Sequence, residues 1–113
     1  MRPEDRKRIG HIQDACLSVA RFIEGQRRED LDADEKLRFA LIRAIEMIGE
    51  AASKVSPETR EQMPDVPWRE AIGIRNRLIH AYFDVDLDVL WKTALEAVPA
   101  LRKQLERIDQ QED

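Results

Sequence analysis

This 113-residue chain is poor in the residue types on which several common kinds of protein depend. It has one cysteine, Cys16, which excludes a disulfide framework within one chain and a zinc site built from cysteines. Its two histidines, His11 and His80, lack the close spacing of the paired ligands in a metalloprotease helix. We therefore expect neither a bound metal nor a cofactor.

Long apolar segments are also missing from the sequence. No apolar run approaches the roughly 18 residues that a membrane-spanning helix needs. The charged N-terminus leads into no apolar signal core. We therefore expect a cytoplasmic protein without a membrane partner. The length of 113 residues fits a single domain over 1–113.

Positive charge is in the minority. The chain has 19 Lys and Arg against 23 Asp and Glu, a formal net charge of −4. This balance disfavours a protein that coats nucleic acid by bulk charge. However, three arginines and a histidine lie within 69–80, where Glu70 is the only acid. A focused site that contacts a few phosphates therefore remains compatible with the composition.

Hydrophobic periodicity predicts an all-α fold. Only two threonines are present, so residues that favour strands are scarce. Apolar side chains recur every three or four residues in four segments, the spacing of one helix face. These segments cover about 3–26, 32–56, 67–81 and 86–108.

The ends of these helices have recognisable residues. Asp32 precedes Glu35 by three residues, an arrangement that resembles a capping box at the start of the second helix. Asp84 or Asp86 is suited to cap the fourth helix, and Pro99 should bend that helix without ending it. Four helices with short connections predict an antiparallel four-helix bundle, to which a short fifth helix can be added.

The third helix has a feature that a plain bundle does not explain. On a helical wheel, Arg75 falls in the middle of an apolar arc that covers about half the circumference. An unpaired, partly desolvated guanidinium would be costly. Arg75 must therefore pair with a carboxylate, border a subunit interface or face a cleft that holds an anion. Asn76 and His80 lie one turn apart on an adjacent face.

Structural roles explain many of these residues taken one at a time. Arg75 can be the partner of an acid such as Glu46 or Glu50 in a structural four-helix dimer. His80 near a helix C-terminus can interact with the helix dipole, and Tyr82 can be an amphipathic residue at the rim. Four other residues are predicted to have no catalytic role. Cys16, Trp68 and Trp91 are expected in the core, and His11 is expected to be a structural or a surface residue.

Together, these residues resemble a known family. The segment 75–82 has the form R-N-x-x-x-H-x-Y, which is similar to the signature of HEPN domains, in particular the HepT-like toxin branch. The similarity extends from the second helix to the start of the fourth. It includes the strings Ile48-Gly49-Glu50-Ala51-Ala52, Pro67-Trp68-Arg69 and Tyr82-Phe83-Asp84.

The resemblance implies a HEPN-like helical bundle that forms a homodimer, with the two motif helices lining one cleft. It also implies a metal-independent endoribonuclease with Arg75, Asn76 and His80 as catalytic residues. Their chemistry suits RNA cleavage: His80 can act as acid or base, and Arg75 can hold phosphate oxygens. Asn76 can bind a phosphate oxygen, or it can fix the tautomer of His80 by a hydrogen bond. Glu50, Arg69 and Arg77 are candidates for a supporting role.

The same resemblance implies a toxin-antitoxin system. In the HepT-like branch, a cognate nucleotidyltransferase antitoxin adds AMP to the tyrosine of the motif, which is Tyr82 here. A bulky anion beside the cleft would compete with the RNA phosphate for Arg75. The alternative is a non-catalytic HEPN module that binds nucleotide or RNA, or that serves as a scaffold for a nucleotidyltransferase.

Overall fold

Helices dominate the fold. The computed structural model describes residues 1–81 and 84–111, and the side chains of these residues except 79–81 and 108–111. The helices are α1 (Pro3–Ile23), α2 (Asp30–Ala33), α3 (Glu35–Ser53), α4 (Pro57–Gln62), α5 (Trp68–Ile72), α6 (Leu87–Lys92) and α7 (Val98–Gln111). A 3₁₀ turn spans Ile74–Arg77, a π turn spans Thr93–Ala97, and two short strands are β1 (Ile79–Ala81) and β2 (Asp84–Val85).

The core lies between three long helical segments. Helices α1 and α3 pack along most of their lengths, and α7 packs on α1. Helix α5 and the 3₁₀ turn pack on α3. Cys16 is buried in this core as predicted, and burial raises the pKa of its thiol to about 12. The largest fully buried side chains are those of Ile12, Leu31, Leu41, Ile45, Ile48, Leu78, Leu90 and Leu105.

The predicted all-α character and the first helix are confirmed. Helix α1 begins at Pro3, a residue suited to a first helical turn, and ends at Ile23. Trp68 is a core anchor, since it is buried and its indole N–H donates to the Met63 carbonyl oxygen at 3.0 Å. Trp91 is half-buried against the core, and His11 is exposed. Within the described residues, no helix is both long and apolar enough to cross a bilayer.

The start of the second long helix differs from the prediction. Asp32 lies inside the short helix α2, and Asp34 is the N-cap of α3. The backbone of Asp34 is extended, with φ −118° and ψ 98°, and its carboxylate accepts the Leu37 backbone N–H at 3.1 Å. This geometry is that of an N-cap, which Asp32 cannot adopt within a helical turn.

A short helix occupies the connector after α3. Helix α3 ends at Ser53, and Ser56 caps α4 with Pro57 in the first turn. The carboxylate of the buried Asp5 joins this cap to α1. It accepts the Ser56 N–H at 2.9 Å, the Ser56 hydroxyl at 2.6 Å and the Thr59 hydroxyl at 2.5 Å. These hydrogen bonds lower the pKa of Asp5 from 3.8 to about 2.

The prediction of one helix over 67–81 is wrong. Helix α5 ends at Ile72, and its C-cap is Gly73, a poor helix former whose N–H donates to the Arg69 carbonyl oxygen at 3.1 Å. After the 3₁₀ turn, Ile79 pairs with Val85 in an antiparallel ladder, and both residue types favour strands. Tertiary pairing therefore overrides the helical periodicity of this segment.

The fourth predicted helix is confirmed from its cap onward, but with a wider turn inside it. The Asp86 carboxylate accepts the N–H groups of Asp88 and Val89 at the start of α6. In the π turn, the Val98 N–H donates to the Thr93 carbonyl oxygen, five residues back. Pro99 follows this turn and has no N–H to donate to the residue four positions earlier. The wide turn accommodates the proline inside a continuing helix.

Candidate functional site

Arg75 and Asn76 lie on the 3₁₀ turn between α5 and β1. The Asn76 N–H donates to the Gly73 carbonyl oxygen at 3.0 Å, and the Leu78 N–H donates to the Arg75 carbonyl oxygen at 3.0 Å. The turn buries Ile74 and leaves the side chains of residues 75–77 exposed. The expected placement of Arg75 within a buried apolar arc is therefore wrong, because the α-helical wheel does not apply to this segment.

The Arg75 guanidinium has a carboxylate partner on α3. Its Nε lies 3.5 Å from Glu46 Oε1, and the Arg75 side chain is 52% exposed. Glu46 is also 3.9 Å from Arg43 Nη1, which is in turn 3.9 Å from Glu50. Exposed pairs of this kind contribute between 0 and about 1 kcal/mol. Glu46 therefore orients the Arg75 side chain but leaves it available to a second anion.

A shallow groove of about 280 Å³ surrounds these groups. We call it the Arg75 groove; it is lined by Glu46, Gly49, Glu50, Ser53, Ile72, Arg75 and Asn76. It brings together three of the residues predicted from the sequence, namely Arg75, Asn76 and Glu50. One cation faces two carboxylates here, so the formal charge of the lining is −1.

Gly49 sets the distance between the two walls of the Arg75 groove. A Cβ atom at this position would lie 3.2 Å from the Ile72 carbonyl oxygen and 3.5 Å from that of Ala71. These are backbone atoms of α5, which cannot move without displacing the following turn. A glycine at 49 therefore allows the segment that holds Arg75 to approach α3 closely.

The same substitution at two helical glycines should have opposite effects on stability. At Gly10 of α1 no atom lies within 4 Å of an added Cβ, so Gly10→Ala should stabilise the fold by about 0.5–1 kcal/mol. At Gly49 the contact with Ile72 should cancel that gain and destabilise the fold by about 1 kcal/mol or more. Urea unfolding of both variants measures the difference. Equal stabilisation by the two alanines would contradict the close approach.

The other two arginines of the cluster lie in separate grooves. Arg69 lines a groove with Arg60 and Trp68, and Arg77 lines one with Lys92 and Glu96 on the α6–α7 side. The sequence cluster at 69–80 is therefore divided in space, since the chain turns after Gly73. Neither Arg69 nor Arg77 lines the Arg75 groove.

His80 lies in β1, at an irregular position of the ladder. Ile79 pairs with Val85 and Ala81 with Asp84, and the register shifts between residues 79 and 81. The Asp86 N–H donates to the Leu78 carbonyl oxygen at 2.8 Å next to this pair of strands. The helical one-turn relation expected between Asn76 and His80 is wrong, since His80 is in a strand.

Two of the predicted site features lie outside the described residues. The side chain of His80 is one, and Tyr82 is the other.

Arg43 is a member of the site that the sequence analysis missed. It links the two carboxylates of the Arg75 groove from α3. Arg43, Glu46 and Glu50 are spaced by three and four residues, which is the spacing of one helix face. This periodicity is the sequence signal from which Arg43 could have been predicted as a neighbour of the two carboxylates. Among the described residues, no group of three or more His, Cys, Asp or Glu side chains is placed to hold a metal ion.

Comparison with known proteins identifies relatives over most of the chain. The family model described as ribonuclease HepT-like matches residues 12–108. A protein of Thermococcus cleftensis named "Probable ribonuclease HepT" is 38% identical, over 96% of this chain and 98% of its own length. A Methanocaldococcus jannaschii protein named as a "Putative RNase" is 45% identical, over 84% of this chain and 87% of its own. No solved structure matches the chain.

Proposed function

The chain belongs to the ribonuclease HepT-like family, and on this premise we propose that it is a metal-independent endoribonuclease. The proposal depends above all on one observation. Arg75 and Asn76 are consecutive residues of a 3₁₀ turn that both line an exposed groove, and this turn shortly precedes the strand that contains His80. Arg75 holds an anion only when its side chain is accessible, and here it is 52% exposed.

The proposed chemistry assigns one task to each residue. His80 takes the proton of the ribose 2′-OH or protonates the 5′-oxygen leaving group, since histidine changes charge near neutral pH. The 2′-oxygen attacks the phosphorus, and the bond from phosphorus to the 5′-oxygen breaks. Arg75 stabilises the charge on the phosphorane with its planar guanidinium. Asn76 donates to a phosphate oxygen from the adjacent position.

Cleavage and binding assays distinguish this enzyme from a non-catalytic module. Purified protein, shown by intact mass to be unmodified, is incubated with RNA in the presence of a metal chelator. We expect the wild type to cut the RNA and the variants Arg75→Ala and His80→Ala to bind it without cutting. Binding without any cleavage by the wild type would favour the module that binds RNA or serves as a scaffold.

We further propose that two chains form one composite site. One chain contributes one histidine of the motif, His80, whereas the reaction needs both an acid and a base. A homodimer in which each His80 contributes to the same cleft provides the pair. In a heterodimer of wild-type and His80→Ala chains, we expect the activity per site to fall with the loss of either histidine. Full activity per site in that heterodimer would contradict a composite site.

Finally, we propose that the protein is the toxin of a toxin-antitoxin pair, neutralised when a nucleotidyltransferase adds AMP to Tyr82. The adduct brings a phosphate close in sequence to His80 and adds negative charge that competes with RNA for Arg75. The family membership supports this regulation, and Tyr82 occupies the tyrosine position of the R-x₄-H-x-Y motif.

Modification of Tyr82 has a direct mass-spectrometric test. After co-expression with a nucleotidyltransferase encoded beside this chain, we expect wild type to gain the mass of one AMP and lose RNA cleavage. The Tyr82→Phe variant should gain no mass and keep its activity. AMP found on another residue, or full cleavage by the modified protein, would contradict the assignment.

A further inference from the structure

A second groove, next to the Arg75 groove, has the opposite charge. We call it the basic groove; its volume is about 230 Å³, and it is lined by Arg8, His11, Arg43, Met47, Glu50, Ala51 and Lys54. Three cations face one carboxylate, so the formal charge of its lining is +2 in a chain whose net charge is −4. Among the described side chains, neither Arg8 nor Lys54 has an ion-pair partner.

The two grooves are adjacent, because Glu50 lines both of them. Arg43 in the basic groove lies 3.9 Å from Glu46, the carboxylate that contacts Arg75. A polyanion that reaches Arg75 must enter a groove with a formal charge of −1 and compete with Glu46. Positive charge in the neighbouring groove offsets this repulsion, since exposed charges interact over about 10 Å at 0.1 M salt.

We propose that the basic groove is a subsite for the backbone of single-stranded RNA next to the bond that is cut. This inference depends on the proposed ribonuclease function and adds the path of the substrate. Arg8 and Lys54 contact phosphates, whereas the exposed side chains of His11 and Met47 give an unpaired base an imidazole and a thioether to pack against. An acidic protein surface would pair with the cations but would bring no base to pack against the imidazole and the thioether. The mixed lining therefore favours RNA as the ligand.

A matched pair of double variants tests the subsite. Arg8→Ala/Lys54→Ala removes two cations from the basic groove, and Arg21→Ala/Lys36→Ala removes two exposed cations from the opposite ends of the same helices. Lys36 and Lys54 are 18 residues apart, or about 27 Å along the helix. Both double variants change the net charge equally. Unchanged thermal midpoints establish that both remain folded.

Affinity for single-stranded RNA is measured in the His80→Ala background, where RNA is not expected to be cut. We expect the basic-groove variant to bind about tenfold more weakly and the control to change by less than about twofold. The slope of the logarithm of the association constant against the logarithm of the salt concentration should become less steep by about 1.4, because two phosphate contacts are lost. With active protein at saturating concentration, the single-turnover cleavage rate should stay near that of the wild type.

Each alternative result has a distinct meaning. If the wild type cuts RNA but the two double variants bind it equally well, the subsite is wrong and the ribonuclease proposal stands. An acidic protein surface would then be the remaining candidate ligand of the basic groove. If the wild type neither binds nor cuts RNA, both proposals fail. A lower single-turnover rate at saturation would overturn the assignment to substrate binding, since the residues would then act in the chemical step.

Discussion

Replacing Arg75 or His80 with alanine is expected to reduce the rate of RNA cleavage by about a thousandfold. Loss of a positioned acid or base costs roughly 10²–10⁴ in rate, and loss of a donor to the developing charge costs roughly 10²–10³. Arg75 is exposed, and among the described side chains its ion-pair partner is the half-buried Glu46, so its removal should disturb the fold little. The variant Arg75→Ala should therefore unfold like wild type but fail to cut RNA.

Two further variants show whether the effect of Arg75 depends on its geometry. Arg75→Lys keeps the charge but not the planar fork, so its rate should lie between those of the wild type and Arg75→Ala. Arg21→Ala removes an exposed arginine far along α1 and should leave the rate within about twofold. Cleavage by Arg75→Ala at the wild-type rate would exclude Arg75 from the reaction and leave it a structural partner of Glu46.

The variant Asp5→Ala is expected to have the largest effect on stability. It removes the acceptor of three hydrogen bonds, donated by the half-buried Ser56 and the buried Thr59. Hydrogen bonds to charged groups contribute about 1.5–3 kcal/mol, and the free energy of unfolding should fall by about 2–4 kcal/mol. Asp14→Asn, at an exposed position of the same helix, should change it by less than about 0.5 kcal/mol.

The contribution of Asp5 to stability should depend on pH. The pKa of Asp5 is about 2 in the fold against 3.8 when unperturbed, so the folded protein binds fewer protons. The stabilisation is complete above about pH 4 and is lost as the pH falls through 2. The free energies of unfolding of wild type and Asp5→Asn should differ by about 2 kcal/mol at pH 6 and by less than about 1 kcal/mol at pH 2.5. A difference that does not change with pH would mean that Asp5 is not held as a carboxylate.

Periodicity was sufficient to predict the long helices, because each packs one apolar face against the core over many turns. Cys16, Trp68 and the cap at Asp86 follow from such local rules. The hydrogen bonds of Asp5 could not be predicted in the same way. Its partners are 51 and 54 residues away along the chain, and nothing in the local sequence distinguishes it from an exposed acid in a first helical turn.

The segment 73–81 shows why a site can be harder to predict than a fold. Its apolar positions have helical spacing, but Gly73 ends α5 and the strand pairing of Ile79 with Val85 holds the chain in another conformation. The identities of Arg75, Asn76 and Glu50 were sufficient to propose a site. Their actual juxtaposition depends on Gly49, which admits the backbone of α5 against α3. A helical wheel contains no information about such a tertiary approach.

The most direct test of the central proposal is the chemical nature of the ends of the cut RNA. Unmodified protein is incubated with a short labelled RNA in the presence of a chelator, and the fragments are analysed by mass. Attack by the 2′-oxygen predicts a 2′,3′-cyclic phosphate on one fragment and a 5′-hydroxyl on the other, with both products missing in Arg75→Ala and His80→Ala. Fragments with 3′-hydroxyl and 5′-phosphate ends, formed only when a divalent metal is supplied, would contradict the account.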